Sequence, residues 1–117
     1  ADFENCKFYH CTFDNASLVN CNLQNVLFSN CSLYNVTAEE AELQNARFFS
    51  CNLAKAFFTH SNFKEAVLKN CQTTSSSFMN CCIENIALEE TDLPNDEMFN
   101  SELDWIKNDI PDFEPNM

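Results

Sequence analysis

Eight cysteines, two histidines and a short run of glutamates are the residues of this 117-residue chain equipped to bind a metal, form a covalent bond or move a proton. Seven cysteines, Cys6, Cys11, Cys21, Cys31, Cys51, Cys71 and Cys81, fall at multiples of five from one another, and Cys11, Cys31, Cys51 and Cys71 are spaced by twenty. Zinc needs a tetrahedron, supplied by closely spaced pairs such as C-x-x-C beside a matching histidine set. The chain has no such pair, and a column of parallel side chains is not a tetrahedron. His10 and His60 share the five-residue phase at a turn position and read as surface histidines. Cys82 follows Cys81 directly and alternates outward, which makes it the candidate reactive thiol, but no histidine lies near it as a base. Glu39, Glu40 and Glu42 could act as acid–base groups only in a pocket; without one they form a solvated face. The absence of glycine removes any Gly-rich phosphate loop. No catalytic, cofactor-binding or metal-binding residue is expected, and the chain reads as a non-enzyme.

The elements that must position these residues follow from the same period. Large apolar residues recur every fifth position: Phe3, Phe8, Phe13, Leu18, Leu23, Phe28, Leu33, and so on to Leu93, with only Ala38 and Thr73 breaking the run. A small residue, alanine, valine, serine or cysteine, lies two positions before all of them except Leu88 and Leu93, which follow Ile86 and Thr91. An α-helix advances about 100° per residue, so this period would scatter around a helix. A flat strand also fails, because the offsets of two and three cannot share one side. The chain must bend in each unit. Asparagine, which tolerates left-handed backbone, fills the last position of eleven of nineteen units. Short extended pieces joined by turns wind into a coil, and such units must stack to bury anything. The twenty-residue spacing of Cys11, Cys31, Cys51 and Cys71, and of Phe8, Phe28 and Phe48, predicts four units per coil, with like residues in ladders.

Pieces such as ADFEN, ASLVN, CNLQN, AELQN, CNLAK and SNFKE resemble the pentapeptide repeat family, whose pattern is roughly A-D/N-L-x-x. The resemblance covers residues 1–95 and implies an all-β fold, a right-handed quadrilateral parallel β-helix. Cysteine is commoner here than the usual alanine at the small site. A coil rise of about 4.8 Å places stacked Cβ atoms slightly beyond disulfide range, so the thiols read as reduced core residues of a cytoplasmic protein. No charged-then-apolar leader is expected before Ala1, and no run approaches a membrane span.

After TDLPN the pattern changes. Phe99, Leu103, Ile106 and Ile110 form one face of a short α-helix from about Asn95 to Asn108, making 96–117 a C-terminal helix and acidic tail. Phe99, Leu103, Trp105, Ile106 and Ile110 are expected to cap the open coil or carry a homodimer contact, since family members often dimerise through this end. Net charge is −12, which disfavours direct contact with nucleic acid or an anionic membrane. The solenoid holds eleven acids and five bases, the tail seven acids and one lysine. Some proteins of the family imitate duplex DNA and bind type II topoisomerase, DNA gyrase in particular. By that resemblance the outward acids Asp2, Glu4, Asp14, Glu39, Glu40, Glu42, Glu65, Glu84, Glu89 and Glu90 would stand in for phosphates toward a DNA-binding protein. The alternative is a generic assembly scaffold presenting outward Tyr9, Tyr34, Phe49 and Phe57 to a protein partner.

Overall fold

The computed structural model describes residues 1–94. Five three-residue strands, β1 (Lys7–Tyr9), β2 (Leu27–Ser29), β3 (Arg47–Phe49), β4 (Val67–Lys69) and β5 (Ala87–Glu89), form one parallel sheet in chain order. Every partner is twenty residues away: Phe8 pairs with Phe28, Phe28 with Phe48, Phe48 with Leu68 and Leu68 with Leu88. The other sides are joined by single parallel bridges at the same offset, such as Asp2 with Asn22, Thr12 with Ser32 and Ser17 with Thr37. The expected four-sided parallel β-helix is therefore the fold, and all regular structure among the described residues is strand or bridge. The expected C-terminal helix, and with it Phe99, Leu103, Trp105, Ile106 and Ile110, lies outside the described residues.

The four faces take their numbers from their central residues. Face I carries Phe3, Leu23, Leu43, Phe63 and Ile83; face II, the sheet, Phe8, Phe28, Phe48, Leu68 and Leu88. Face III carries Phe13, Leu33, Leu53, Thr73 and Leu93; face IV, Leu18, Ala38, Phe58 and Phe78. All of these but Thr73 and the exposed Leu88 meet in one core. Phe28 lies between Phe8 and Phe48 with ring centroids 5.3 and 5.1 Å away and planes tilted by 17° and 16°. Phe58 and Phe78 repeat that stack at 5.2 Å, while Phe13 meets Phe28 edge-on. Both geometries suit the ring quadrupole. Ala38 is fully buried between Leu18 and Phe58 in its column.

The bend demanded of every unit is visible in the backbone. Eighteen residues, one per unit from Asn5 to Glu90, have φ between 50° and 68°. Ten are asparagine; His10, Glu40, Ser50, Lys55, His60, Glu65, Ser75 and Glu90 take the same left-handed conformation. Left-handed backbone costs an ordinary residue about 1–2 kcal/mol, and the stacked coils on either side impose it.

The corners close in two ways. In most, the N–H of the small residue donates to the carbonyl of the central residue three positions back, as Cys6 to Phe3 (3.0 Å), Ala46 to Leu43 (3.0 Å) and Ala66 to Phe63 (2.9 Å). Between faces II and III a side chain from the next coil does the closing. The Cys31 thiol donates to the Phe8 carbonyl at 3.3 Å, Cys51 to Phe28 at 3.2 Å and Cys71 to Phe48 at 3.2 Å. Each of these sulfurs also accepts the N–H of the cysteine one coil below. Thr91 continues the pattern, accepting the Cys71 N–H at 3.0 Å. Ser61 does the same between faces IV and I, donating to the Ala38 carbonyl at 2.5 Å and accepting the Ala41 N–H at 3.1 Å. Sequence reading treats these residues only as small; their place also depends on a polar atom that reaches across coils.

Candidate interaction surface

The twenty-residue coil decides which outward side chains become neighbours. Asp2, Asn22, Glu42, Asn62 and Cys82 form one continuous bridged column on face I. Glu4 and Glu84 lie beside it on the same face, Glu65 at its corner with face II, Glu40 at its corner with face IV, and Glu39 just beyond. Seven of the ten acids expected to form the acidic surface thus gather on face I and its edges, with Lys64 as the one base among them. The rest of the solenoid, with Asp14, Glu89, Glu90 and Asp92 against Lys7, Arg47, Lys55 and Lys69, is balanced. Of the net charge of −6 carried by residues 1–94, face I itself, with Asp2, Glu4, Glu42 and Glu84 against Lys64, carries −3, and Glu40 and Glu65 at its corners bring this to −5. Asp14, Glu89 and Glu90 do not join it.

Local hydrogen bonds hold several of these carboxylates in place. Asp2 Oδ1 accepts the Glu4 N–H at 3.1 Å and the Asn22 amide at 3.2 Å, and Asn22 also donates to Glu4 Oε1 at 3.3 Å. Glu42 Oε1 accepts from Gln44 at 2.7 Å, and Glu39 Oε2 from the Thr59 hydroxyl at 3.2 Å. Asp2, Glu4, Glu39, Glu40, Glu42 and Glu65 are exposed; Glu84 is partly so. The donors are neutral amides and hydroxyls, so the carboxylate charge stays uncompensated at the surface.

The outward aromatics are not brought together. Tyr9 and Phe49 share a column of face II two coils apart, whereas Tyr34 is on face III, beneath the Lys55 ammonium at 5.7 Å, and Phe57 is on face IV. Tyr9 and Phe57 are about half exposed, at 56% and 48%. Leu27, in the outward register of face II between Lys7 and Arg47, is only 8% exposed, consistent with long basic side chains covering apolar surface with their stems.

The cysteines require a correction. Cys82 is not the single accessible thiol: Cys6 and Cys11, in the first coil, are also partly exposed. Cys21, Cys31, Cys51, Cys71 and Cys81 are buried, and all eight are free thiols. Burial pushes the Cys31 thiol above its ordinary pKa and that of Cys81 up to about 12. In the adjacent pair, the mutual interaction of the neighbouring thiols raises Cys51 and lowers Cys71, with Cys51 keeping its proton. Sequence reading also misses a polar groove of about 340 Å³ along the corner between faces II and III. His10, Asn30, Ser50 and Asn70 form one rim, Thr12, Ser32, Asn52 and Gln72 the other, with Cys11, Cys31 and Cys51 between them. The signal for it is in the sequence, in four polar residues on each side of the cysteine phase at intervals of twenty. His60, on the opposite corner, meets Asn80 at 3.3 Å. Among the described residues no three His, Cys, Asp or Glu side chains are grouped to hold a metal, and no helix is long and apolar enough to cross a membrane.

A four-sided solenoid of five-residue units, with one charged face, defines the class as a β-helical repeat protein. The chain belongs to the pentapeptide repeat family: residues 21–98 match the model for the pentapeptide repeat region, and residues 1–35 that for pentapeptide repeats in eight copies. No curated protein matches it. Among solved structures it is similar to HetL, a pentapeptide repeat protein involved in heterocyst differentiation regulation from the cyanobacterium Nostoc sp. strain PCC 7120. The TM-score is 0.53 at 11% identity, covering 80% of this chain and 52% of HetL; the chain thus spans about half of that protein. It also aligns with a pentapeptide repeat protein from the Arabidopsis thaliana thylakoid lumen, with TM-score 0.44, 13% identity and coverage of 91% and 77%. A third alignment is with QnrB1, a plasmid-mediated fluoroquinolone resistance protein, with TM-score 0.28, 18% identity and coverage of 80% and 63%. At these identities the likeness to HetL concerns the fold, and the other two carry no argument about this chain.

Proposed function

We propose that this protein is a non-enzymatic protein-binding solenoid whose face I docks on the nucleic-acid-binding surface of a DNA-binding protein, with a type II topoisomerase such as DNA gyrase as the specific candidate. The observation that carries the reading is the gathering of most of the solenoid's net charge on face I and its corners. From Asp2 to Glu84 the face spans four coil rises, about 19 Å. One strand of duplex DNA carries a phosphate every 3.4 Å or so, hence about six charges over that length. Face I and its edges carry seven acids and one base, so the match is to one strand and not to the whole duplex. A basic groove that holds a phosphate strand would meet a rod of comparable charge spacing, already ordered by the coils. The cytoplasm, where thiols stay reduced, is the setting we propose, with a homodimer through the C-terminal end extending the rod.

Charge mimicry requires binding that weakens steeply with salt and competes with duplex DNA. The test is supercoiling by purified gyrase at low salt, titrated with the wild-type protein, with a Glu39→Lys/Glu40→Lys/Glu42→Lys triple variant and with a Lys7→Glu/Arg47→Glu variant of face II. Inhibition or protection lost only in the triple variant supports face I as the docking surface. Equal behaviour of both variants, or no effect at large excess, overturns the topoisomerase reading and leaves a scaffold with another partner.

A further inference from the structure

We propose that the thiol ladder beneath the groove between faces II and III is a binding site for a soft monovalent cation, Cu(I) or Ag(I), held in two-coordinate fashion between the sulfurs of successive coils, Cys31 with Cys51 or Cys51 with Cys71. The objection to a tetrahedral metal stands, since no three ligands converge among the described residues. A two-coordinate ion asks for something different: two sulfurs facing each other at the right separation.

The coil supplies that separation. The thiols of Cys31, Cys51 and Cys71 make the same pair of contacts, each to a carbonyl twenty-three residues back, at 3.2–3.3 Å, and to one two residues back, at 3.4–3.5 Å. Identical contacts on successive coils place the sulfurs one coil rise apart, about 4.8 Å. A metal–thiolate bond is about 2.3 Å long, taking zinc as the measure, so a linear sulfur–metal–sulfur unit spans about 4.6 Å. Thiolates select soft ions of this kind. Access is through the groove, whose lining includes Cys11, Cys31 and Cys51.

The corner itself does not explain why sulfur is used. Ser61 closes an equivalent corner with a hydroxyl, and Thr91 continues the ladder with one. Four consecutive thiols at Cys11, Cys31, Cys51 and Cys71 thus exceed what the hydrogen bonds require, and what they add is a row of soft donors. On binding, two S–H bonds break, two sulfur–metal bonds form and two protons leave to solvent, with no change of oxidation state. The bridge carries one net negative charge. It is met by N–H groups already directed at the sulfurs, that of Cys11 toward Cys31 and that of Cys31 toward Cys51.

The experiment titrates the reduced full-length protein with Ag(I) in chloride-free buffer and reads stoichiometry by native mass spectrometry and coordination by X-ray absorption. Because partly exposed thiols also take silver, and Cys11 could pair with Cys31, the reference is the Cys6→Ser/Cys11→Ser/Cys82→Ser variant. The expected result is one tightly bound Ag(I) with two sulfur neighbours, displacing two protons. Cys51→Ser in that background removes the shared sulfur and should weaken binding by more than about 100-fold. Ser61 shows that a hydroxyl serves such a corner, so circular dichroism should stay native. Should Cys51→Ser fail to fold, Cys31→Ser/Cys71→Ser removes both of its neighbours and must give the same loss. Binding within a few-fold of the reference in either folded variant, or three or more ligands around the silver, overturns the proposal.

Discussion

Replacing Ser61 by alanine tests how the corners are held. Ser61 is 2% exposed, and its hydroxyl bridges the Ala38 carbonyl and the Ala41 N–H, both on fully or almost fully buried residues. Without the oxygen, one buried donor and one buried acceptor lose their partner, each at a cost of about 1–3 kcal/mol. Partial relaxation is available: at the same corner one coil earlier Cys21 donates directly to Leu18, and one coil later than Ser61 Cys81 donates to Phe78, both at 3.2 Å. Moving Ala41 into that arrangement would recover part of the loss, so a net destabilisation of about 2 kcal/mol is expected, near the lower end of two orphaned groups. Ser61→Cys should lie within about 1 kcal/mol of wild type, because the Cys81 thiol already bonds the Phe58 carbonyl in the equivalent place. Urea denaturation followed by circular dichroism gives both values, provided the slope is unchanged. A Ser61→Ala protein within about 0.5 kcal/mol of wild type would show that the corner closes on its own and that the cross-coil side chain is dispensable.

Phe28→Ala should cost about 3–5 kcal/mol, since Phe28 is 1% exposed and stacked on both sides, and Phe28→Asp should abolish cooperative unfolding altogether; a folded Phe28→Asp protein would contradict the ring column. Ser75 holds φ at 61°, so Ser75→Asn should raise stability by about 1 kcal/mol; no gain in the urea midpoint would mean that the coils do not impose that strain. Cys81 ionises near 12 when folded against an ordinary 9.0. Above pH 9 the unfolded chain therefore releases a proton that the folded one keeps, and stability falls as pH rises toward 12, by up to about 1.4 kcal/mol per pH unit from this thiol. Cys81→Ser should flatten that slope in denaturation curves taken between pH 9 and 11; an unchanged slope would place the effect elsewhere.

The period of five and the spacing of twenty were enough, on the sequence alone, to determine the coil, the register and the Phe8–Phe28–Phe48 column. Each unit repeats one local requirement, an apolar centre followed by a residue that accepts left-handed backbone, so one-dimensional phase translates directly into three-dimensional position. The acids Asp2, Glu4 and Glu42 were legible as outward residues, but their gathering on one face is a property of the closed coil, which places residues twenty apart side by side. Three features were decided by the tertiary structure. Phe3, Cys6 and Cys11 are partly exposed although their phase matches that of buried residues in later coils, a difference no local pattern records. Leu27 occupies an outward register yet is buried between two basic neighbours from adjacent coils. The corner roles of Cys31, Cys51, Cys71 and Ser61 depend on a carbonyl twenty-three residues back. A hydrogen bond across coils is set by where two backbones come to rest against each other, and the residue's own type only makes it available.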